Sequence, residues 1–168
     1  NEVPAELRND SKICCYITDN SIGDGFKFYK LKDSDGYYFT IDDDLIYPPN
    51  YADYLIDRYC YYNKQYIVTL HGRIFLERRV LSYYRSPHYN FRCLGDVTGD
   101  VLVQFGGTGV MMFHTDLFKF DYKEIKYPNM ADIWLAKFAA EKGIKIVCLK
   151  HNENYLKYQN DVGNETIF

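Results

Sequence analysis

The chain has 168 residues, 47% of them hydrophobic and 18% aromatic, and a formal net charge of −3. That length holds one domain with a real core and makes a second one unnecessary. The apolar fraction excludes a disordered chain, and the acidic balance argues against a binder of nucleic-acid backbones, which needs a basic excess.

Taken in chain order, residues 13–18 (Ile-Cys-Cys-Tyr-Ile-Thr) read as a buried strand closed by the turn-rich stretch 19–25. Residues 26–32 are expected to form a short helix, ended by Asp33, Ser34, Asp35 and Gly36. The spacing of these acids resembles a calcium loop only in part, because its first position would be Leu31 and its twelfth Asp42 rather than Glu. Residues 37–41 (Tyr-Tyr-Phe-Thr-Ile) read as a strand, followed directly by Asp42, Asp43 and Asp44. Pro48, Pro49 and Asn50 mark a helix start. The helix runs to about Tyr62 with Ala52, Leu55, Ile56 and Tyr59 on its inner face.

Residues 66–70 read as another apolar strand, ending in His71-Gly72-Arg73. From 74 to 99 the periodicity weakens, which predicts a long surface excursion, and the basic residues Arg73, Arg78, Arg79 and Arg85 fit a solvated loop. Strands over 101–105 and 110–114 flank Gly106, Gly107, Thr108 and Gly109, a turn that permits close backbone approach but lacks dinucleotide or Walker spacing. Asn129 is placed to cap a helix through Lys142, with Gly143 as its stop. Residues 144–149 form a last strand, and the polar tail after about 152 is expected to be flexible. No apolar run reaches the roughly 18 residues a membrane span requires. Five cysteines, with Cys14 and Cys15 adjacent and no CxxC pair, fit reduced thiols in a cytosolic compartment. A start at Asn1 without Met or a signal peptide suggests a piece cut from a longer protein.

Alternating strands and helices favour an α/β sheet with helices on its faces. Ligands gather at the carboxyl ends of strands in such sheets, where the acid triplet, His71 and His151 all fall. Three consecutive carboxylates repel one another unless a cation is shared. If the strand continued, Asp42 and Asp44 would face one way and Asp43 the other. Hard oxygen donors of this kind suit Mg²⁺ or Mn²⁺, which completes its shell with water and substrate phosphates. Asp132, in the first turn of its helix, is favoured there by the helix dipole whatever else it does.

The run from Tyr37 to Pro49 around Asp42-Asp43-Asp44 resembles the DxD region of GT-A glycosyltransferases. It is most similar to the bacterial family 2 enzymes that build capsular polysaccharide or lipopolysaccharide glycans. Asp24 and Lys27, in Gly23-Asp24-Gly25-Phe26-Lys27-Phe28, resemble a segment lining the nucleotide-sugar site. Gly106, Gly107, Thr108 and Gly109 are similar to the loop near donor sugar and acceptor, and Asp132, in Pro128-Asn129-Met130-Ala131-Asp132, falls at the acidic catalytic motif. The resemblance covers roughly residues 20 to 151.

It implies a GT-A (Rossmann-like) nucleotide-diphospho-sugar transferase fold, a mixed sheet flanked by helices, as one domain over 1–168 lacking the first strand–helix unit. It implies Asp42, Asp44 and His151 as metal ligands for Mn²⁺ or Mg²⁺, Asp24, Lys27 and Asp43 as contacts to the nucleotide sugar, and Asp132 as general base. The partners implied are a UDP-sugar and a glycan acceptor, without nucleic acid. The location implied is cytoplasmic, in peripheral association with a membrane assembly at the inner face of the membrane. Where the family has an acidic pair, this chain has Ala131-Asp132, so only the second acid remains. A metal-dependent phosphohydrolase or nucleotidyltransferase would need a second ligand set, and a non-catalytic glycan-binding domain would rest on the tyrosines alone.

Overall fold

The computed structural model describes residues 3–159. Its centre is a five-stranded mixed sheet in the order β1-β8-β3-β9-β6, formed by β1 (Tyr37–Ile41), β3 (Tyr66–Thr69), β6 (Val101–Val103), β8 (Val110–His114) and β9 (Lys145–Cys148). β3 and β9 pair in parallel, and every other contact in this sheet is antiparallel. β1, β3 and β9 therefore run in one direction and β8 and β6 in the other.

The three central strands, β8, β3 and β9, are buried on both faces because their apolar residues do not alternate with polar ones. In β8, Met111 and Phe113 enter one core while Val110 and Met112 enter the other. β3 and β9 divide in the same way, with Ile67, Ile146 and Cys148 on the first face and Val68, Val147 and Leu149 on the second. Each face is covered by a helix. α3 (Ala131–Glu141) packs Ala131, Leu135, Phe138 and Ala139 on the first. α2 (Tyr51–Tyr61) packs Tyr51, Leu55 and Tyr59 on the second. Leu55 and Tyr59 face inward as expected and Ile56 packs beside them, but Ala52 is exposed and Tyr51 takes the first inner position. Tyr51 offers that core far more apolar area than an alanine would.

Several expectations are corrected. Residues 13–18 form no strand and are exposed, since no neighbouring strand lies beside them to take their backbone bonds. A short helix, α1 (Ala5–Asn9), precedes them. Two 3-10 helices, Gly23–Phe28 and Leu31–Asp33, replace the single helix expected over 26–32. The excursion after residue 74 is partly ordered: β4 (Gly72–Phe75), β5 (His88–Phe91) and β7 (Phe105–Gly106) form a three-stranded sheet in the order β5-β4-β7. The tail is not free up to residue 159. Leu156 is buried, and β10 (Lys157–Tyr158) pairs with β2 (Leu45–Ile46). The remainder of the tail expectation lies outside the described residues. All five cysteines are unpaired thiols, and no helix among the described residues is long and apolar enough to cross a membrane.

Candidate functional site

A cavity of about 610 Å³ opens at the sheet edge where β1 and β3 end and β8 begins. Asp24, Lys27, Asp42, Gly107, Thr108, Gly109 and Asp132 line it, brought together from four separate parts of the chain. His71, Arg73, Tyr83, Tyr84 and Cys93 complete the wall. Of these, only His71 carries a readable signal in the sequence, its place just after an apolar strand. Arg73, two residues on, reads only as part of a solvated basic loop, and Tyr83, Tyr84 and Cys93 come from the stretch without periodicity.

Asp42 leaves β1 at a turn held by Tyr47. The Tyr47 hydroxyl accepts from the Asp42 amide at 2.8 Å and donates to the Gly109 carbonyl at 2.6 Å, tying the exit of β1 to the entry of β8. The Asp42 carboxylate forms an ion pair with Lys27. Its other oxygen lies so close to Gly109 that a Cβ there would stand 1.8 Å from Asp42 Oδ2. Gly109 is therefore glycine because a carboxylate occupies the side-chain space. Gly107 gives way to His71 in the same manner, with an added Cβ 2.7 Å from His71 Cβ. Gly106 does not line the cavity. It sits in β7 packed on Ile146 and Met111.

Asp132 is held firmly. Its Oδ1 accepts from the Thr108 amide and the Thr108 hydroxyl, both at 2.8 Å, and its Oδ2 accepts from the Tyr83 hydroxyl at 3.2 Å. Thr108 thus fixes the plane of the carboxylate and leaves Oδ2 the less engaged oxygen. The Tyr83 phenol is pushed well above its ordinary value by burial and then by the charge of Asp132, so it stays a donor.

Asp24 has a second task. Asn129 does not cap α3 as expected but turns through φ +55, and Met130 at the cap makes no side-chain bond. The orphan amide of Ala131 instead donates to the Asp24 carboxylate, at 3.2 and 3.3 Å. This is capping delivered from 107 residues upstream. Burial raises the Asp24 pKa most; the Ala131 amide opposes it, and Asp132 and Asp42 add to it. A carboxyl whose folded pKa lies above its unfolded one favours the fold while protonated, and that contribution fades as pH rises through the folded value. Asp24→Asn is neutral at every pH and keeps an oxygen for Ala131. It is expected to flatten the melting temperature's dependence on pH above 3.8, the ordinary carboxyl value. Thermal unfolding across pH checks this, and an unchanged pH profile would refute it.

The remaining expected site residues lie elsewhere. Asp43 and Asp44 form a turn instead of continuing β1, so the alternation of faces does not apply. Asp43 is exposed, and Asp44 is half-buried outside the cavity lining. Burial raises the Asp44 pKa, with the charge of Asp42 the next cause. His151 is buried. Its Nδ1 lies 2.7 Å from the Leu149 carbonyl and its Nε2 3.2 Å from the Arg92 carbonyl, so both ring nitrogens are turned to backbone oxygens, and the ring does not line the cavity. No group of three His, Cys, Asp or Glu among the described residues is arranged to hold a metal ion. Asp42 and Asp44 fit a hard cation only where water and substrate oxygens supply most of its shell.

No protein-family model matches the chain, and no curated protein matches it.

Proposed function

We propose that the chain transfers a sugar from a nucleoside-diphosphate donor, a UDP-sugar, to a hydroxyl of a glycan acceptor, with inversion, in surface polysaccharide synthesis. The observation that carries this reading is the convergence of Asp42, the Gly107–Gly109 turn and Asp132 on one cavity at the carboxyl edge of a mixed α/β sheet. Their order along the chain is that of the resemblance to GT-A enzymes. The mixed sheet with a helix on each face is compatible with that fold.

In this mechanism Asp132 Oδ2 removes the proton from the acceptor hydroxyl as that oxygen forms its bond to the anomeric carbon. The bond from that carbon to the diphosphate oxygen breaks, and its electron pair leaves with the nucleoside diphosphate. Thr108 keeps Asp132 oriented throughout. Lys27 sets a positive charge beside Asp42 at the diphosphate end. Asp42, with Asp44 on the adjoining turn, would hold a divalent cation whose shell water and diphosphate oxygens complete, and such an ion would supply charge to offset that of the leaving group. The Gly107–Gly109 turn, bare of side chains except Thr108, lets the sugar approach the backbone.

Titration calorimetry with a panel of nucleoside diphosphates, with and without Mn²⁺, tests the reading. One diphosphate is expected to bind in a Mn²⁺-dependent manner that EDTA abolishes. Failure of a folded chain to bind any of them would remove the donor from the proposal.

A further inference from the structure

The charges of the cavity are unevenly satisfied. Each lining acid has a partner: the Ala131 amide for Asp24, Lys27 for Asp42, and Thr108 with Tyr83 for Asp132. The lining arginine has no partner of opposite charge. Arg73, on β4, makes no ion pair with a carboxylate among the described residues. Its Nη1 donates to the Tyr83 carbonyl at 3.0 Å, and its Nε is buried without a partner. The Tyr83 and Tyr84 rings lie 4.3 and 5.3 Å from its Cζ. Aromatic faces and one carbonyl compensate a guanidinium only in part, since it carries five donors and a full charge.

A second cation stands nearby. Arg92 follows β5, the strand paired with β4. Burial most of all holds the His71 imidazole below its ordinary value; Asp132 opposes this, while Arg73 and Arg92 reinforce it. Arg73 thus brings to this wall a charge that pairs with no carboxylate among the described residues, while Asp132, the acid acting on His71, is already held by Thr108 and Tyr83.

We propose that Arg73 heads an anion-binding subsite in this cavity, taking the carboxylate or phosphate oxygens of an acidic substrate against the Tyr83 and Tyr84 rings. A planar guanidinium offers two parallel donors to either group. The anion belongs on the acceptor side. Tyr83 touches both Arg73 and Asp132, so a group held by Arg73 lies beside the proposed base. Asp42 and Lys27, to which the donor diphosphate is assigned, share no hydrogen bond with either Arg73 or Tyr83. An acceptor bearing a hexuronate or a phosphorylated sugar would anchor its charge at Arg73 and present a hydroxyl to Asp132. The acceptor assignment rests on the transferase reading, whereas the subsite itself requires only binding.

NMR titrations of the full chain with D-glucuronate, glucose 6-phosphate, D-glucose and UDP test it, using the wild type, R73K and R73Q. At least one anion is expected to bind the wild type more tightly than glucose does. R73Q should lose about tenfold or more of that affinity, and R73K, which keeps the charge without the planar fork, should fall between. Loss confined to the sugar acids assigns the anion to the acceptor, and loss confined to UDP assigns it to the donor. Equal affinity of all three proteins for every anion overturns the subsite.

A measurement on the wild type alone guards against misfolded variants. A bound anion should raise the His71 titration midpoint by offsetting Arg73 and Arg92, and an unmoved midpoint under saturating anion also overturns the subsite. Arg73-dependent anion binding without any nucleotide-sugar binding would sink the transferase reading and leave the subsite standing. Nucleotide-sugar transfer with Arg73-independent anion binding would do the reverse.

Discussion

Asp132→Asn is expected to abolish sugar transfer, lowering turnover by about 10²–10⁴-fold, the range associated with loss of a positioned base. The substitution is unusually clean here. Both Thr108 donors meet Oδ1, which an asparagine retains, and its amide nitrogen can donate to the Tyr83 hydroxyl that now donates to Oδ2. The side chain keeps its place and loses only its basicity. Donor binding by calorimetry should therefore match the wild type while product formation vanishes. Transfer at the wild-type rate would show that another group takes the proton.

The second large effect is expected at a residue without a side chain. Gly109→Ala would place a methyl 1.8 Å from Asp42 Oδ2 and 2.5 Å from Asp42 Cγ. The backbone of Gly109 is not in the left-handed region, so alanine is tolerated conformationally and the carboxylate must yield. Swinging away, it releases Lys27 and leaves the mouth of the cavity. Affinity for the nucleoside diphosphate should drop on the order of tenfold, the scale of one hydrogen bond to a charged group. The melting temperature should move little, because the contact lies at the sheet edge and outside both cores. Unchanged diphosphate affinity in a folded G109A protein would show that Asp42 takes no part in holding the donor.

The parts of this fold that could be read from sequence are those where local pattern and tertiary role coincide. The runs at β3, β8 and β9 are apolar without alternation, as strands covered on both faces must be. Gly143, at φ +69, ends α3 where a left-handed residue was anticipated. Residues 13–18 share that composition, but a strand also needs a partner, and composition does not report one. Asn129 has the identity of a cap, yet Asp24 supplies the function from a distant turn, a substitution invisible to any local window.

The site divides in the same way. Asp42 and Thr108 flank strong elements and Asp132 lies in the first turn of one, so they could be placed. His151 follows one too, but the direction of its ring depends on two carbonyls, those of Leu149 and Arg92, which only the folded chain brings near. Tyr83 reaches Asp132 from a stretch whose sequence shows no period, and Arg73 joins it through the Tyr83 carbonyl. Their proximity is a product of tertiary packing alone.

The passage of β8 through both cores has a bearing on how the cavity can move. Gly107, Thr108 and Gly109 lead straight into a strand whose side chains are locked on two faces, with Met111, Met112 and Phe113 fully buried. Detaching that floor would require both layers to come apart together, so its amides open only near the free energy of global unfolding. The opposite wall, with Tyr83 and Tyr84, belongs to a stretch in which Leu76, Val80, Leu81 and Tyr84 are exposed. Tyr83 itself is anchored on Phe75, Phe105 and Asp132, but the exposed residues around it bury little apolar surface, and the stretch is expected to open locally at lower cost than the floor. The cavity thus joins a nearly immobile floor to a yielding roof, and adaptation to substrates of different size falls to the roof.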